Sequence, residues 1–397
     1  MFFTKREQVE MYRHKNVPHE EVLLNNVIEK DLQSMLRPLN FMQHCFICSK
    51  YTIRDNFITS NSLKYNLFGL ICALFYRGCL LYDFGFIAYL NWYTFLITLF
   101  LRVGYQNLTL AIGYLLHFVC NILYGNDNVV LIVNVQNLIR TFKLERKHLK
   151  CFIIFNWFWV LFLNIVFISQ NFRHFIIIDL KNFNIHDVIG YIPSILLDIN
   201  IVYAIFFINL LKKVLTVMIE ELVRSTVRVI NTRRRSHWTE FYNRFAKILE
   251  TYELFQKTFR LLIAFYSFFT ISNSLMSASI FITLGHKFNV MTLADILSTF
   301  FSVLGRNVLL LTLLCVQSEK LYAAFNEVYN ASLIKSRCCS ESQRNACRNI
   351  QRLYMASFKK FTVYGLFVID VKFPIHLVAV ISVYTIAQLQ LILPRDE

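Results

Sequence analysis

The sequence predicts an all-α, polytopic membrane protein with seven transmembrane helices, a cytoplasmic N-terminus, an extracellular C-terminus and long cytoplasmic helical extensions. Three observations carry this expectation. Of 397 residues, 56% are hydrophobic and only 17% are charged, which is too little polar surface to coat a soluble fold of that size. The apolar residues gather into blocks of about 20, the length that crosses a bilayer as a helix. With seven spans and an inner N-terminus, 34 of the 41 Lys and Arg fall on the inner side, four fall outside and three lie within spans. Basic loops resist translocation, so that asymmetry sets the orientation. The net charge of +16 is then a property of topology, and no basic stripe with stacking aromatics stands apart to suggest nucleic acid.

Residues 1–65 form the expected cytoplasmic N-terminal segment. Their start lacks an apolar core followed by a small-residue cleavage site, so no signal peptide is expected. A short apolar patch, LRPLNFMQHCFIC, is too brief and too polar to span and is expected along the inner membrane surface. Cys45 and Cys48 have the spacing of a metal or redox pair. With no second pair and only His44 nearby, they read as reduced thiols, and no metal or cofactor is expected.

Residues 66–316 hold helices one to six, with spans near 66–88, 94–122, 150–169, 188–211, 259–284 and 291–315. Arg77, Asp83 and Arg102 interrupt the first two. A polar segment, 126–149, separates spans two and three. Between spans four and five, 212–257 carries Trp238, Phe241, Phe245, Ile248, Tyr252 and Phe255 at three- and four-residue steps, and the spaced pairs Glu240/Arg244 and Glu253/Lys257. That pattern predicts a packed cytoplasmic helix rather than a loose loop. A second cytoplasmic helical segment, 317–373, is suited to assembly, and 374–397 supplies the seventh helix with a short outer tail.

The seventh helix carries Tyr384, Gln388 and Gln390 where lipid favours aliphatic side chains, so it is expected to face a partner or an aqueous path. At about 100° per residue, Tyr384 and Gln390 lie about 60° either side of Ala387, with Leu391 beside the same line. These four residues are candidates for a pore wall and gate; the alternative is that Tyr384 and Gln390 bond between helices and hold a bundle together. Asp396 and Glu397 would sit outside such a pore, partly offset by Arg395.

Polar stripes on spans five and six are the candidate ligand site. Thr292, Asp295, Thr299, Ser302 and Arg306 recur on one face, and Thr270, Ser274 and Ser277 on another with Asn273 adjacent. Small hydroxyl residues also serve close helix packing. Asp295 is costly in a membrane unless paired or hydrated; it would bind an amine or guanidine ligand, or pair with an arginine such as Arg102. The run Arg233–Arg235 reads as solvent- or headgroup-facing, because it is not a spaced ladder. Asn107-Leu-Thr and Asn330-Ala-Ser fall in a span and inside the cell, where neither glycosylation pattern would be used. Walker, HExxH and nucleophile-elbow motifs are lacking, so no enzyme activity is expected.

The orientation opposes that of receptors coupled to G proteins, and the chain lacks their DRY and NPxxY motifs. The C-terminal stretch Val383, Tyr384, TIAQL, Gln390, Leu391 resembles the terminal signature of insect gustatory receptors, Thr-Tyr, five mostly apolar residues, Gln-Phe, with Val for Thr and Leu for Phe. Upstream, Gly365, Leu366, Phe367, Ile369 and Asp370 resemble the lead-in of such receptors, particularly the divergent bitter-type members of moths and butterflies. The resemblance implies a ligand-gated, nonselective cation channel in the plasma membrane of a chemosensory neuron. It implies a tetramer whose seventh helices line the pore and whose cytoplasmic helices tie the subunits together. Expected partners are a small-molecule tastant, permeating cations, the lipid bilayer, and further copies of itself or other gustatory receptors. Competing expectations are a modulatory subunit and a membrane transporter, although internal repeats and broken midplane helices are not evident.

Overall fold

A computed structural model describes residues 26–90, 94–178, 185–224, 234–287, 293–337 and 341–392. Over 79–90, 94–104, 171–178, 185–194, 281–287 and 293–304 the backbone alone is described. The elements are helices α1 (Lys30–Cys45), α2 (Leu63–Leu90), α3 (Thr94–Leu123), α4 (Gly125–Thr141), α5 (Arg146–Ile178), α6 (Ile185–Arg224), α7 (Arg234–Lys287), α8 (Leu293–Arg337), α9 (Glu341–Ser357) and α10 (Lys372–Ile392). Two small antiparallel hairpins, β1 (Tyr51–Arg54) with β2 (Phe57–Ser60) and β3 (Thr362–Val363) with β4 (Phe367–Val368), complete them.

Among the described residues, Arg146–Val166, Ile195–Arg224, His237–Met276 and Gly305–Arg337 are long and apolar enough to cross a membrane. Leu108–Leu123 and Gly125–Thr141 qualify as a pair bent by 69°, and Leu63–Phe75 and Lys372–Gln388 are shorter apolar helices. These stretches fall on the helices of the seven expected spans, except Gly125–Thr141, which falls in the segment expected to be a polar connection. The architecture is a multi-pass helical membrane protein.

The helix α7, 54 residues long, is the axis of the bundle and packs against α3, α4, α6, α8, α9 and α10. Its stripe is the one the sequence predicts: Trp238, Phe241, Phe245, Ile248, Tyr252 and Phe255 are all buried. Spans four and five continue beyond their expected ends. The helices run on, α6 to Arg224 and α7 from Arg234, so most of 212–257 extends two spans rather than forming a separate module. Arg244 joins these extensions, bonding Glu240 on its own helix and Glu221 on α6. Lys335 of α8 donates to the Leu222 carbonyl near the end of α6 and lies 5.2 Å over the Trp238 ring. A cation beside the last carbonyls of a helix is favourably placed against its dipole.

Three expectations need correction. The patch LRPLNFMQHCFIC is not a separate surface segment: most of it belongs to α1, which is packed into the bundle against α5 and α6. Its residues Leu32, Met35, Leu36, Leu39 and Met42 form one helical face, and all are buried. Segment 126–149 is not merely a polar connection: α4 buries Val129, Leu131, Ile132, Val133, Val135 and Leu138 and packs on α7. Its Gln136 carboxamide donates to the Val27 carbonyl and accepts from the Glu29 amide, both at 2.8 Å. The sequence also shows no strands, yet Asp55 and Asn56 both adopt left-handed conformations (φ 51° and 67°) in the two-residue turn between β1 and β2. Asp and Asn tolerate that region, and two such residues give the turn whose twist suits a hairpin.

Lys50 follows α1 and is outside the spanning helices. It is 3% exposed, its ammonium lies 4.9 Å over the Phe259 ring, and among the described residues no carboxylate pairs with it. Burial pushes this lysine down to about 8. Between about pH 8 and the ordinary value of 10.5, the unfolded chain holds a proton that the folded chain does not. The contribution of Lys50 to stability therefore rises with pH across that window, while the buried thiol of Cys48, pushed up by burial, acts in the opposite sense above about pH 9. The lysine is isolated by difference: Lys50→Met is expected to be the more stable at pH 7 in thermal unfolding in detergent, by on the order of 1–3 kcal/mol, and its advantage over the wild type to shrink as the pH rises through the window. A second target is Tyr203, whose hydroxyl bonds both Tyr51 and Asn40 at 2.5 Å. Tyr203→Phe removes one bond from each, while Tyr51 still donates to Asn40 at 3.0 Å, and is expected to cost about 1 kcal/mol in the same assay.

Candidate functional site

Two places concentrate polar groups where a membrane bundle would ordinarily put hydrocarbon. One is the free surface of α10, and the other is a junction between α6, α7 and α8.

The segment before α10 explains the lead-in residues. Gly365 has φ +75° and Tyr364 φ +49° in the tight loop between β3 and β4. A glycine meets that backbone without steric strain. Phe367 stacks on Phe373 at 4.3 Å, tying the hairpin to the first turn of α10. The Asp370 carboxylate accepts from the amides of Lys372 and Phe373 at 3.0 and 3.2 Å, capping the helix. Leu366 projects outward at 79% exposure. Each of these residues but Leu366 thus has a local task in aiming α10.

The hairpin is itself anchored by α7 and α8. Tyr252 and Gln256 both donate to the Lys359 carbonyl at 3.2 Å. The Tyr322 hydroxyl of α8 donates to the Ile369 carbonyl at 3.0 Å and accepts from the Phe361 amide at 3.1 Å.

Beyond its anchor, α10 touches the body along one stripe, on α7 and α8. Pro374, Leu377 and Ile381 are buried there, and Thr385 and Gln388 are half-buried. Tyr384, Ala387 and Gln390 are exposed. Ala387 lies about 120° around the helix from the packing stripe. Val380 and Val383, at 52% and 68% exposure, share that outward side. Tyr384 accepts a hydrogen bond from Gln388, one turn on, at 2.8 Å. Three of the four proposed pore residues therefore lie on a surface that this chain alone leaves uncovered. The Leu391 side chain is outside the described residues, as are Arg395, Asp396 and Glu397.

The junction lies deeper. Asp198 of α6 and Arg306 of α8 approach at 3.3 Å (Oδ2 to Nε), with side chains 1% and 7% exposed. Tyr266 of α7 donates to Asp198 Oδ1 at 2.7 Å and reaches Asn307 Oδ1 at 3.4 Å, which also accepts from Arg306 Nε at 3.3 Å. Three helices meet in one charged, hydrogen-bonded cluster. A neighbouring cluster joins α3 to α6 and to the loop after α1: His117 bonds the Cys48 carbonyl at 2.9 Å, Asn121 at 3.0 Å and Asn200 at 3.2 Å.

The candidate ligand residues divide between described and undescribed positions. The Ser274 hydroxyl donates to the Thr270 carbonyl at 2.6 Å, and Thr270 in turn to the Tyr266 carbonyl at 2.9 Å, so both turn into their own helix. Asn273 is half-buried beside them. The side chains of Ser277, Asp295, Thr299, Ser302 and Arg102, and the whole of Thr292, lie outside the described residues. Arg306, the last residue of the span-six stripe, pairs with Asp198. Sequence reasoning misses that acid, although a lone aspartate inside ILLDINIVYAIFF is the signal that an intramembrane charge gives. No group of three or more His, Cys, Asp or Glu suited to a metal occurs among the described residues.

No protein-family model and no curated protein sequence matches the chain. Among solved structures, the insect olfactory receptor OR5 from Machilis hrabei superposes with a TM-score of 0.56 at 11% identity, over 91% of this chain and 98% of that one. The chain shares that receptor's fold. The likeness extends over nearly the full length of both chains.

A buried ion pair adds little over an apolar pair of the same volume, but removing one partner strands the other. Arg306→Met is expected to lower stability in detergent by about 3–5 kcal/mol, and Asp198→Leu combined with Arg306→Met to recover most of the loss. A double-variant loss equal to the sum of the two single losses would show that the two side chains act separately.

Proposed function

We propose that the protein is a gustatory receptor: a subunit of a tastant-gated, nonselective cation channel in the plasma membrane of a chemosensory neuron, serving bitter or plant-derived compounds. The observation that carries this reading is the partly polar outer side of α10, which the chain's own helices leave uncovered. A polar surface on a spanning helix is stable when it meets other helices or water, and several copies around an axis supply both. A pore lined by Tyr384, Ala387, Gln390 and Leu391 follows, with four subunits as the arrangement the family resemblance implies. The OR5 fold supports a chemoreceptor, and the terminal signature with its lead-in favours the gustatory branch. The strongly basic inner segments support an inner N-terminus.

Expression of the chain alone, with G-protein signalling blocked, tests the reading when currents are recorded under a panel of bitter compounds and sugars. A ligand-evoked cation current is expected, and Gln390→Ala is expected to alter its permeation. Silence alone, with current on co-expression of another receptor, would make the chain a modulatory subunit instead. The pore wall has a separate test. Cysteine at Ala387 is expected to react with a water-soluble thiol reagent and block current, while cysteine at Ile381, 4% exposed against the body, is expected to stay protected. Equal reactivity at both would remove this face from the pore.

A further inference from the structure

The junction at Asp198 and the anchor of α10 are joined twice, by α7 and by α8. Both helices are continuous between the two places. Along α7, Tyr266 at the junction and Tyr252 at the Lys359 carbonyl are separated by about 21 Å of helix. Along α8, Arg306 and Tyr322 are separated by about 24 Å. One end of each rod enters the buried ion-pair cluster, and the other grips the short segment that aims α10.

We propose that the Asp198–Arg306–Tyr266 cluster is a latch whose state is carried along α7 and α8 to the β3–β4 hairpin and so sets the entry angle of α10. The reasoning starts from the cost of intermediate positions. Apolar contacts between α6, α7 and α8 are non-directional and can be remade in a neighbouring register, whereas the charged cluster cannot. A shift of one residue along a helix, about 1.5 Å, separates Arg306 from Asp198 and leaves both charges in a dehydrated interior. Movement of α8 past α6 is therefore confined to a paired arrangement and an unpaired one, which is the two-state element that long-range coupling requires. Continuous helices transmit the choice, and the hydroxyl of Tyr322 delivers it to Phe361 and Ile369, eleven and three residues before the first residue of α10.

Arg306 also ends the polar stripe of span six, and Tyr266 precedes Thr270 and Ser274 on span five. A ligand lodged along those stripes would compete at the cluster. That part rests on the channel reading above, whereas the linkage between cluster and hairpin does not.

The test is amide hydrogen exchange on the full-length protein in lipid nanodiscs, which needs no current. Asp198→Asn is expected to speed exchange of the Phe361 and Ile369 amides at least tenfold, and Tyr266→Phe, a milder change should Asp198→Asn fail to fold, at least threefold. Arg140→Ala, which removes an exposed pair with Glu29, serves as control and is expected to leave them unchanged. Unaltered exchange at Phe361 and Ile369 in Tyr266→Phe overturns the linkage, as does a uniform increase across all helices, which would mark the cluster as a general stabiliser. If the wild type carries a current, Asp198→Asn is further expected to shift ligand sensitivity at least tenfold. Loss of all current in the wild type would sink the channel reading and leave the exchange result standing.

Discussion

Contacts between apolar side chains are non-directional, whereas a hydrogen bond between helices is made in one register, and this constraint sets how the helices align. Among the described residues, several such groups lie where different helices meet. Asp198, Tyr266 and Arg306 align α6, α7 and α8; His117, Asn121 and Asn200 align α3, α6 and the loop after α1. Asn156 donates to the Met35 carbonyl at 2.7 Å, and Tyr51, Tyr203 and Asn40 meet between the first hairpin, α6 and α1. The phenylalanines fill the space these contacts define. Phe207, Phe255 and Phe259 pack together in the interior, and many other sequences of similar volume would do so.

The spans and the buried stripe of α7 were legible because they are local: each is a property of one stretch and its period. What escaped was pairing across distance. Asp198 and Arg306 are separated by more than 100 positions, and nothing in the run around either names the other. The insertion of α1 into the bundle is of the same kind, since an amphipathic face shows that a helix will pack but not whether on lipid or on protein. In segment 126–149 the charges gather near the end and mask the Val and Ile that α4 buries ahead of them. For the candidate site, the polar side of α10 was readable from spacing alone. Its uncovered state was not, because that depends on what the other helices leave open.

Gly365, Phe367 and Asp370 show how a motif can be accounted for locally without reference to a ligand. A left-handed turn, a ring stack and a helix cap together hold the start of α10 at one angle. Tyr252, Gln256 and Tyr322 fix that assembly to the two longest rods in the molecule. The site most directly connected to the last helix is therefore well inside the body, at the other end of those rods.

The narrow contact of α10 also divides the helix by who judges a mutation. At Leu377 and Ile381 a substitution is tested by the chain's own core, and its effect follows the chain wherever it is expressed. At Val380, Val383 and Ala387 the same chain covers little of the side chain, so the acceptable residues there are set largely by what else surrounds the helix, lipid or protein. Two copies of this gene drifting apart would first part company on that outer side, changing the company they keep while remaining the same fold.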